Sequence, residues 1–308
     1  MKRINKCISC YGIIDSCFNL GKIPLVNNFK SKPQLKKYDL SMGLCRKCKL
    51  FQIEKNIDPK NLFSDYAHIS AGSQSNLKHL KDVFNFINKK LKINNKTKIL
   101  EIGSNDGSLL GILKNKTKNI VGVDPARNLV KKIKDDYLNV IPDFFNNKTS
   151  KRIKTKHGLF DVIVALNVIP HTCNLNEVIN SVSNLMKPDG HFIMEGAYFF
   201  DTIYKGKFDT IYHEHVSSFT VTSIKNVLEN FNLKLHYVDR ISTQGGSIRI
   251  IAKKKTNSKQ YLKILKIEKK FLVDKISTYK KVGEIINNKI SEIKKNFEIL
   301  SKVKKVIF

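Results

Sequence analysis

The sequence of 308 residues has no long apolar run and few acidic side chains. No window approaches the roughly 18–20 uninterrupted apolar residues that a membrane-spanning helix needs. The basic residues Lys2, Arg3 and Lys6 have no apolar segment behind them, which argues against a secretory signal. These absences predict a soluble cytoplasmic protein that does not bind membranes.

The excess of basic residues is large, with 56 Lys and Arg against 26 Asp and Glu and a formal net charge of +30. Such a charge attracts polyphosphates, including nucleic acids. Lys, Asn and Ile crowd the whole chain, however, and all three have A/T-rich codons, so genome composition explains much of the excess. Aromatic residues are not interleaved with the basic runs as on a platform for single-stranded nucleic acid. Nucleic acid is therefore not the expected partner.

A hydrophobic fraction of 41% and 18 Phe exclude a wholly disordered chain, and the length allows roughly two domains. A helical pattern over 66–91 precedes an alternation of β and α signals, which predicts a parallel sheet with helices on both faces. The predicted strands are 98–102, 120–124, 161–166, 191–195, 233–241 and 247–252. The predicted helices that accompany them are 108–113, 127–136, 175–186 and 221–230.

Four of the six cysteines form two Cys-x-x-Cys pairs, Cys7 with Cys10 and Cys45 with Cys48. Each pair can place two thiolates on one tetrahedral metal ion, so the two pairs predict a closed Cys₄ site for structural Zn²⁺. The spacer of residues 11–44 is longer than the usual 15–20 residues. This length indicates only a longer connecting segment, because each cysteine pair forms its half of the site locally. Redox-active dithiols and unliganded thiols are the alternatives.

Residues 98–107 run from a strand into a loop with the pattern Glu-x-Gly-x-x-x-Gly, formed by Glu101, Gly103 and Gly107. This pattern differs from the dinucleotide fingerprint, whose loop must approach a pyrophosphate. S-adenosylmethionine has no phosphate and carries a cationic sulfonium, so acidic residues beside the loop suit it. Asp124, at the end of the next strand, can accept hydrogen bonds from both ribose hydroxyls. The pattern predicts a methyltransferase fold; an ordinary βα turn in another α/β protein is the alternative.

A polar loop over residues 209–219 follows the strand that ends at Glu195, on the side where loops face a ligand crevice. Tyr212, Glu214 and His215 bring together a phenol, a carboxylate and an imidazole that can share one proton network. A histidine with an ordinary pKa of about 6.5 is suited to accepting a proton at neutral pH. A metal pair formed by His213 and His215, and a merely structural polar loop, are the competing interpretations.

In this order the motifs resemble the S-adenosylmethionine-dependent sugar C-methyltransferases, which act on nucleotide-linked 4-keto deoxysugars. The resemblance runs from Cys7 to about Ala252. Besides the two cysteine pairs, the matching segments are residues 20–27, 62–66, 101–108, 122–125, 167–171, 209–215 and 245–249.

The resemblance implies a small Cys₄ zinc-binding domain at 1–65, a Rossmann-like class I methyltransferase core at 66–255, and a helical tail at 256–308. It implies a mostly parallel α/β sheet with a final antiparallel strand, in a monomer or weak oligomer. The implied cofactors are S-adenosylmethionine and structural Zn²⁺, and the implied substrate is a nucleotide-linked keto-deoxysugar. The residues expected to bind the methyl donor are Glu101, Gly103, Asn105, Asp106, Gly107, Asp124, Phe144, Phe145 and Asn167.

The implied chemistry assigns roles to the polar loop. A base, His215 before Tyr212, is expected to remove the proton next to the ketone and form an enolate, while Glu214 orients the imidazole. Tyr212 or His171 is expected to donate a hydrogen bond to the developing oxyanion. The enolate then attacks the methyl group on the sulfonium, and zinc takes no part.

Two features depart from the family pattern. Gln244 stands where the family has a histidine before Gly-Gly-Ser, so the role in substrate binding or proton transfer that the resemblance gives that histidine is open here. The family continues into a second Rossmann-like domain, whereas this chain is expected to be C-terminally truncated, with 305–308 as the first strand of that domain. Methylation of another acceptor such as RNA, and an inactive remnant that only binds zinc and S-adenosylmethionine, are the alternative functions.

Overall fold

The computed structural model describes residues 2–3, 6–26, 36–63, 69–133, 138–206 and 208–303. The strand predicted at 305–308 and the domain boundary predicted at 65 lie outside these residues. The described chain forms a seven-stranded sheet, a four-stranded sheet and a two-stranded pair. No helix in these ranges is long and apolar enough to cross a membrane.

The chain up to Phe63 is a small β-rich module, named the zinc module here, that carries both cysteine pairs. Its strands are β1 (Lys2–Arg3), β2 (Ile14–Ile23), β3 (Tyr38–Cys45), β4 (Phe51–Ile53) and β5 (Lys55–Asn56), and its helix is α1 (Lys60–Phe63). Strands β2, β3 and β4 pair antiparallel in chain order.

The core that follows alternates strands and helices, as the sequence predicts. Its first half contains α2 (Gln74–Leu91), β6 (Ile99–Ile102), α3 (Ser108–Leu113), β7 (Ile120–Val123), α4 (Arg127–Val130), β8 (Asn139–Ile141), α5 (Asn147–His157) and β9 (Phe160–Leu166). Its second half contains α6 (Leu175–Leu185), β10 (Met186–Ala197), α7 (Phe199–Lys205), β11 (Ser217–Ser218), α8 (Val221–Glu229), β12 (Lys234–Ile241) and β13 (Ser247–Lys253). The tail consists of α9 (Leu262–Lys270) and α10 (Ile276–Val303).

The large sheet has the strand order β12-β13-β10-β9-β6-β7-β8. Strand β13 runs antiparallel to both of its neighbours, while β10, β9, β6, β7 and β8 are parallel. Every residue of β6 and β7 is buried, as is typical of parallel strands covered by helices on both faces. The predicted fold class, a mostly parallel sheet with a final antiparallel strand, is confirmed.

Helix α2 begins later than the periodic pattern over 66–91 predicts. The Ser73 hydroxyl accepts a hydrogen bond from the Asn76 N–H at 3.2 Å, so Ser73 caps the helix and Gln74 is its first residue. Its buried face consists of Leu80, Val83 and Ile87. The three-to-four-residue spacing of these side chains is the helical signal that the sequence carries.

The zinc module and the core share one hydrophobic cluster. Strand β11, which lies in the core sequence, pairs antiparallel with β4 and completes the four-stranded sheet of the zinc module. Just before β11, the Val216 carbonyl accepts a hydrogen bond from the Ile53 N–H at 3.0 Å. The polar loop that precedes β11 is therefore tied directly to the zinc module.

Helix α10 packs against the zinc module near its own first turns. The fully buried Tyr279 ring lies 4.8 Å from that of Phe51 and 6.1 Å from that of Phe199, measured between centroids, and both pairs are stacked. A Cβ atom at Gly283 would overlap the Phe18 side chain on β2, so the close approach of α10 requires glycine. The predicted helical linker is thus packed on the rest of the chain.

Glu268 on α9 is a fully buried carboxylate that caps the N-terminus of α8. It accepts hydrogen bonds from the Tyr198 hydroxyl and the Val221 N–H, both at 2.7 Å. It also accepts from the N–H and hydroxyl of Thr222 at 2.7 and 2.6 Å. Four hydrogen-bond donors and the positive end of the α8 dipole thus stabilise the carboxylate of Glu268.

We expect Glu268→Gln to lower the free energy of unfolding by about 3 kcal/mol, because an amide N–H₂ would face N–H and hydroxyl donors in a buried site. Urea denaturation followed by circular dichroism measures the change. Glu298→Gln on the exposed end of α10 is the matched control and should leave stability unchanged. Equal stability of both variants would contradict the assignment.

Candidate active site

The four paired cysteines meet in one cluster in the zinc module. The Sγ atoms of Cys7, Cys10, Cys45 and Cys48 all lie within 4.8 Å of one another, and two of the separations are 3.5 Å. Four sulfur atoms about 2.3 Å from a tetrahedral Zn²⁺ ion are about 3.8 Å apart, so these distances fit zinc. Four thiolates leave no open coordination position, which indicates a structural ion.

Each cysteine pair lies on a turn of the same construction. The N–H groups of Cys7 and Cys45 donate to the carbonyl five residues later, both at 2.9 Å. Tyr11 and Lys49, each four residues after the first cysteine of a pair, have φ angles of 58° and 63°. Two equivalent half-sites explain why the long spacer between the pairs, which forms β2 and β3, does not prevent their meeting.

A cavity of about 780 Å³ opens at the carboxyl ends of the parallel strands. The loop after β6 forms one part of its wall, and the polar loop before β11 forms another through Tyr212 and His215. The zinc module contributes Asp58, Lys60 and Phe63. One cavity therefore joins the predicted cofactor loop, two of the predicted catalytic residues and the zinc module.

Seven of the nine residues predicted to bind the methyl donor line this cavity, namely Glu101, Gly103, Asn105, Asp124, Phe144, Phe145 and Asn167. Asp106 and Gly107 instead shape the loop behind the wall. The Asp106 carboxylate accepts hydrogen bonds from the Ser108 N–H at 3.1 Å and from the Ala71 N–H at 2.9 Å. Gly107 is the N-cap of α3 with φ 76°.

Glu101, at the end of β6, is 4% exposed, and its Oε2 atom has no hydrogen-bond partner among the described residues. Burial raises the pKa of this carboxyl well above its usual range, and the nearby carboxylates of Asp124 and Asp106 add to the effect. A cation in the cavity would favour the ionised form. The sulfonium and ammonium groups of S-adenosylmethionine are cations of the kind that this acid can stabilise.

Asp124 ends β7 with its carboxylate held by two backbone N–H groups. Oδ2 accepts from Asn105 and Oδ1 from Ala126, both at 2.8 Å. Burial raises the pKa of this carboxyl as well. Each oxygen keeps a second lone pair, so the fixed carboxylate can accept hydrogen bonds from two neighbouring hydroxyls of a ribose.

Gly103 is required where the loops after β6 and β9 meet. Its φ angle is 71°, and a Cβ atom there would overlap Cγ2 of Val168. Both residues line the cavity. The backbone of the cofactor loop can therefore approach a ligand more closely than any other residue type would allow.

His215 and Tyr212 form a hydrogen-bonded pair on the cavity wall. His215 Nδ1 lies 2.7 Å from the Thr210 carbonyl oxygen, and Nε2 lies 3.1 Å from the Tyr212 hydroxyl. A carbonyl only accepts, so Nδ1 carries the proton of the neutral ring and Nε2 offers a lone pair to the hydroxyl. Burial lowers the pKa of His215 below its usual value, which keeps the ring neutral and basic at neutral pH.

The contact with His215 Nδ1 comes from the Thr210 carbonyl, whereas the sequence assigns the orientation of this ring to Glu214. The backbone carbonyl of Glu214 instead accepts a hydrogen bond from His171 Nδ1 at 2.9 Å. Burial lowers the pKa of His171 to about 3, so its ring is neutral and Nε2 has no proton to donate. His171 therefore does not fit the predicted role of oxyanion donor.

His213 points away from the catalytic pair. Its Nε2 atom lies 3.2 Å from the Tyr38 carbonyl oxygen at the start of β3, and the side chain is buried. The two histidines of the His-x-His sequence thus contact different parts of the structure, His213 at β3 and His215 at the cavity wall. This separation argues against a metal site formed by them. His213 adds another contact between the polar loop and the zinc module.

Sequence reasoning missed His79 on the cavity wall and the four wall residues that the zinc module supplies, Asp58, Pro59, Lys60 and Phe63. His79 Nε2 lies 2.6 Å from the Glu195 carboxylate. Glu195 directly follows the apolar residues 192–194, and a carboxylate beside that apolar run was the available signal. No sequence signal identified the zinc-module residues, because only the packing of the zinc module against the core brings them to the cavity.

Two family models match the chain. A model described as a methyltransferase domain matches residues 73–238, and one described as a zinc binding domain matches residues 7–63. The first match covers more than half of the sequence, so the chain belongs to the methyltransferase family. S-adenosylmethionine is the methyl donor that the cofactor loop fits, and the Cys₄ cluster lies within the zinc-binding segment.

Among curated proteins, the chain is similar to the C-methyltransferase NovU of Streptomyces niveus, with 31% identity over 215 residues. The match covers 70% of this chain and 51% of the relative, so the chain spans about half the length of that relative.

Solved structures with low sequence identity also match. One is a protein from Pyrococcus horikoshii OT3, with 14% identity, a TM-score of 0.46, and coverage of 65% of this chain and 100% of that one. Another is the magnesium protoporphyrin IX methyltransferase of Synechocystis PCC 6803 with bound SAH, with 12% identity, a TM-score of 0.44, and coverage of 57% and 82%.

We expect Asp124→Asn to weaken binding of S-adenosylhomocysteine about tenfold, because one acceptor for a ribose hydroxyl is replaced by a donor. Isothermal titration calorimetry measures the dissociation constant. Asp189→Asn, an exposed position on β10, is the control and should bind with unchanged affinity. Undiminished binding by Asp124→Asn with an intact fold would show that ribose is held elsewhere.

Proposed function

We propose that the chain transfers the methyl group of S-adenosylmethionine to the carbon next to the ketone of a nucleotide-linked 4-keto deoxysugar. The observation that carries the proposal is the Tyr212–His215 pair, which shares a cavity with the cofactor loop. Carbon methylation requires removal of a C–H proton, and the pair is a base suited to that task. The similarity to a C-methyltransferase supports the same reaction class.

The wall of the cavity has two parts with different chemistry. Glu101 and Asp124 mark the part suited to the methyl donor, and Tyr212, His215 and His171 mark the part suited to the acceptor. When bound, S-adenosylmethionine supplies an electrophilic methyl group at its sulfonium. The acceptor carbon therefore has to lie between the donor part of the wall and the catalytic pair.

The proton leaves the substrate through the hydroxyl of Tyr212. As the C–H bond breaks, the Tyr212 oxygen takes the proton and passes its own to Nε2 of His215, 3.1 Å away. The electron pair of the C–H bond stays on the substrate as an enolate. The imidazolium that forms is stabilised by its Nδ1–H···O=C hydrogen bond to Thr210.

His171 contributes a hydrogen-bond acceptor to the same part of the wall. Its ring lies 4.9 Å from that of His215 and 5.6 Å from that of Phe63, measured between centroids. Because its proton is committed to the Glu214 carbonyl, Nε2 presents a lone pair. That lone pair is suited to accepting a hydrogen bond from a sugar hydroxyl and so to orienting the ring.

Incubation of the protein in deuterated water with S-adenosylmethionine and a nucleotide-linked 4-keto deoxysugar tests the proposal. We expect a methylated sugar by mass spectrometry, and deuterium at the carbon next to the ketone when S-adenosylhomocysteine replaces the donor. RNA, offered as a parallel acceptor, should remain unmethylated. Absence of both exchange and methyl transfer would sink the proposal for this substrate class.

The pH dependence of kcat/KM reports the protonation state of the catalytic base. Burial lowers the pKa of His215 below its ordinary value of about 6.5, and the ring must be neutral to accept a proton. We therefore expect kcat/KM to stay constant as the pH falls from 8 to about 6.5 and to decline only below that value. A decline of kcat/KM that already begins above pH 6.5 as the pH is lowered would be inconsistent with His215 as the buried base.

A further inference from the structure

Gln244 is a polar residue of the cavity wall that the proposed proton transfer does not use. It lies between β12 and β13 in the turn of residues 243–246, named the Gln244 turn here. No hydrogen bond joins its side-chain amide to another described residue. The amide is therefore available to donate and accept hydrogen bonds toward a ligand in the cavity.

The backbone at Gln244 has a conformation that residues with a side chain rarely adopt. Its φ angle is 50° and its ψ angle is 37°, in the left-handed region that favours glycine. Residues held in such conformations cluster at active sites and ligand contacts. A glutamine that lines a cavity at a position better suited to glycine points to a function of its side chain.

The Gln244 turn lies beside the catalytic pair. The Tyr198 N–H donates to the Gly246 carbonyl at 3.1 Å, which joins the turn to the end of β10. Ala197, the last residue of β10, lines one small pocket together with Thr210 and His215. The end of β10 thus separates the turn from the catalytic loop by the width of one strand, and both line the same cavity.

Helix α7 fixes the turn relative to the catalytic base. A Cβ atom at Gly246 would overlap the Asp201 carboxylate, so α7 packs directly on the turn. One residue further along α7, the Thr202 hydroxyl lies 3.3 Å from the hydroxyl of Thr210. Thr210 is the residue whose carbonyl holds His215. One helix therefore contacts both the Gln244 turn and the loop that carries the base.

The part of the wall suited to the acceptor needs a hydrogen-bond donor that its catalytic pair does not supply. In the proposed transfer, Tyr212 passes its proton to Nε2 of His215, whose Nδ1 faces a backbone carbonyl. Nδ1 of His171 likewise faces a backbone carbonyl, so its Nε2 presents a lone pair. An enolate carries negative charge on the former ketone oxygen, which a preorganised donor stabilises. The amide N–H₂ of Gln244 is a donor at this end of the cavity that no described residue engages.

We propose that the side-chain amide of Gln244 donates a hydrogen bond to the ketone oxygen of the acceptor and stabilises the oxyanion of the enolate. The inference rests on the proposed function, because the ketone belongs to the proposed substrate. As the C–H bond breaks, its proton goes to Tyr212, its electron pair forms a C=C bond, and the π electrons of the ketone move to the oxygen. The ketone re-forms when the carbon takes the methyl group, and the electron pair of the S–CH₃ bond stays on sulfur.

Gln244→Gly tests the assignment, because glycine removes the amide and suits a φ angle of 50°. We expect a melting temperature close to that of the wild type, and deuterium exchange next to the ketone about 10²-fold slower. The dissociation constant of the nucleotide-linked 4-keto deoxysugar, measured by calorimetry with S-adenosylhomocysteine present, should change by less than about threefold, because the oxyanion develops only during the reaction.

Asn232→Gly is the matched control. Asn232 is an exposed residue with a side-chain amide and a φ angle of 57°, and it lies outside the cavity wall. The same substitution there removes an amide from a left-handed position without touching the site. We expect this variant to exchange deuterium and transfer the methyl group at the wild-type rate.

Two further variants separate the donor from the size of the side chain. Gln244→Glu has nearly the same shape, but an ionised carboxylate donates no hydrogen bond and repels an oxyanion. We expect it to exchange deuterium more slowly than Gln244→Gly. Gln244→His keeps a ring N–H that can donate, so its exchange should lie within about tenfold of the wild-type rate.

The outcomes are distinguishable. Wild-type exchange in a folded Gln244→Gly or Gln244→Glu protein would overturn the role of the amide. Weaker sugar binding that accounts for the whole loss of rate would overturn the oxyanion role, because such a contact acts before the reaction begins. If the wild type neither exchanges deuterium nor methylates the sugar, the proposed function fails and this inference fails with it. Exchange in the wild type that Gln244→Gly leaves unchanged would refute only the inference about Gln244.

Discussion

Replacing His215 by alanine is expected to slow methyl transfer by about 10²–10⁴-fold, the usual contribution of a general base. Without Nε2, the Tyr212 hydroxyl loses the 3.1 Å contact through which it is proposed to pass its proton to His215, so removal of the proton on the substrate carbon slows. Deuterium exchange next to the ketone should be lost in parallel. Binding of S-adenosylhomocysteine should persist, because the contacts proposed for the donor lie on other strands.

Two further variants sharpen the test. Tyr212→Phe keeps the aromatic ring and removes only the hydroxyl, so a proton relay predicts a loss of exchange comparable to that of His215→Ala. His157→Ala, on α5 and outside the cavity wall, is the matched histidine control and should exchange deuterium normally. Wild-type exchange in His215→Ala would reject this histidine as the base.

Loss of zinc is expected to have the largest effect on stability. Cys48→Ser removes one of four ligands, and structural zinc sites in small domains contribute about 10 kcal/mol or more to folding. We expect a loss of bound metal, measured by mass spectrometry of metal content, and a fall of at least about 10 °C in melting temperature. Methyl transfer should also fall, because β4 holds β11 and with it the catalytic loop.

Cys17→Ser is the matched control for this experiment. Cys17 lies on β2 outside the cluster of four sulfurs, and burial raises its thiol pKa to about 12. The variant should keep its zinc and melt near the wild-type temperature. Retention of a full equivalent of zinc by Cys48→Ser would contradict the four-cysteine site.

The sequence predicts the centre of the core well because its parallel strands are continuous apolar runs between glycine and polar turns. Helix α3 has the predicted bounds, and β6 and β7 each differ by one residue. Strand β8 was missed because it is a short edge strand that is only partly buried, so its residues show no clear alternation of apolar and polar side chains. The strands of the zinc module were missed as well, since bulges interrupt the pairing of β2 with β3.

Motifs predict where the site lies but not how its groups are oriented. Asp124 and Glu101 could be assigned because a carboxylate at a strand end is visible in the sequence. The partner of His215 could not be assigned from the sequence, because it is the backbone carbonyl of Thr210. Every residue has a backbone carbonyl, so the residue type at position 210 gives no indication of this contact. The contact of His79 on α2 with Glu195 on β10 is a tertiary contact, which single-sequence patterns do not supply.

The stacking of Tyr279 on Phe51 has a consequence for the order in which the protein matures. A ribosome adds about 5–20 residues per second, so roughly 10–50 s pass between synthesis of the first ring and of the second. During that interval Phe51 lacks one of its stacking partners, because the helix that carries Tyr279 is not yet made. Such a contact between distant parts of the sequence is typical of slow folding. Bound zinc, which needs only the first 48 residues, can hold the early segment in shape until the last helix closes over it.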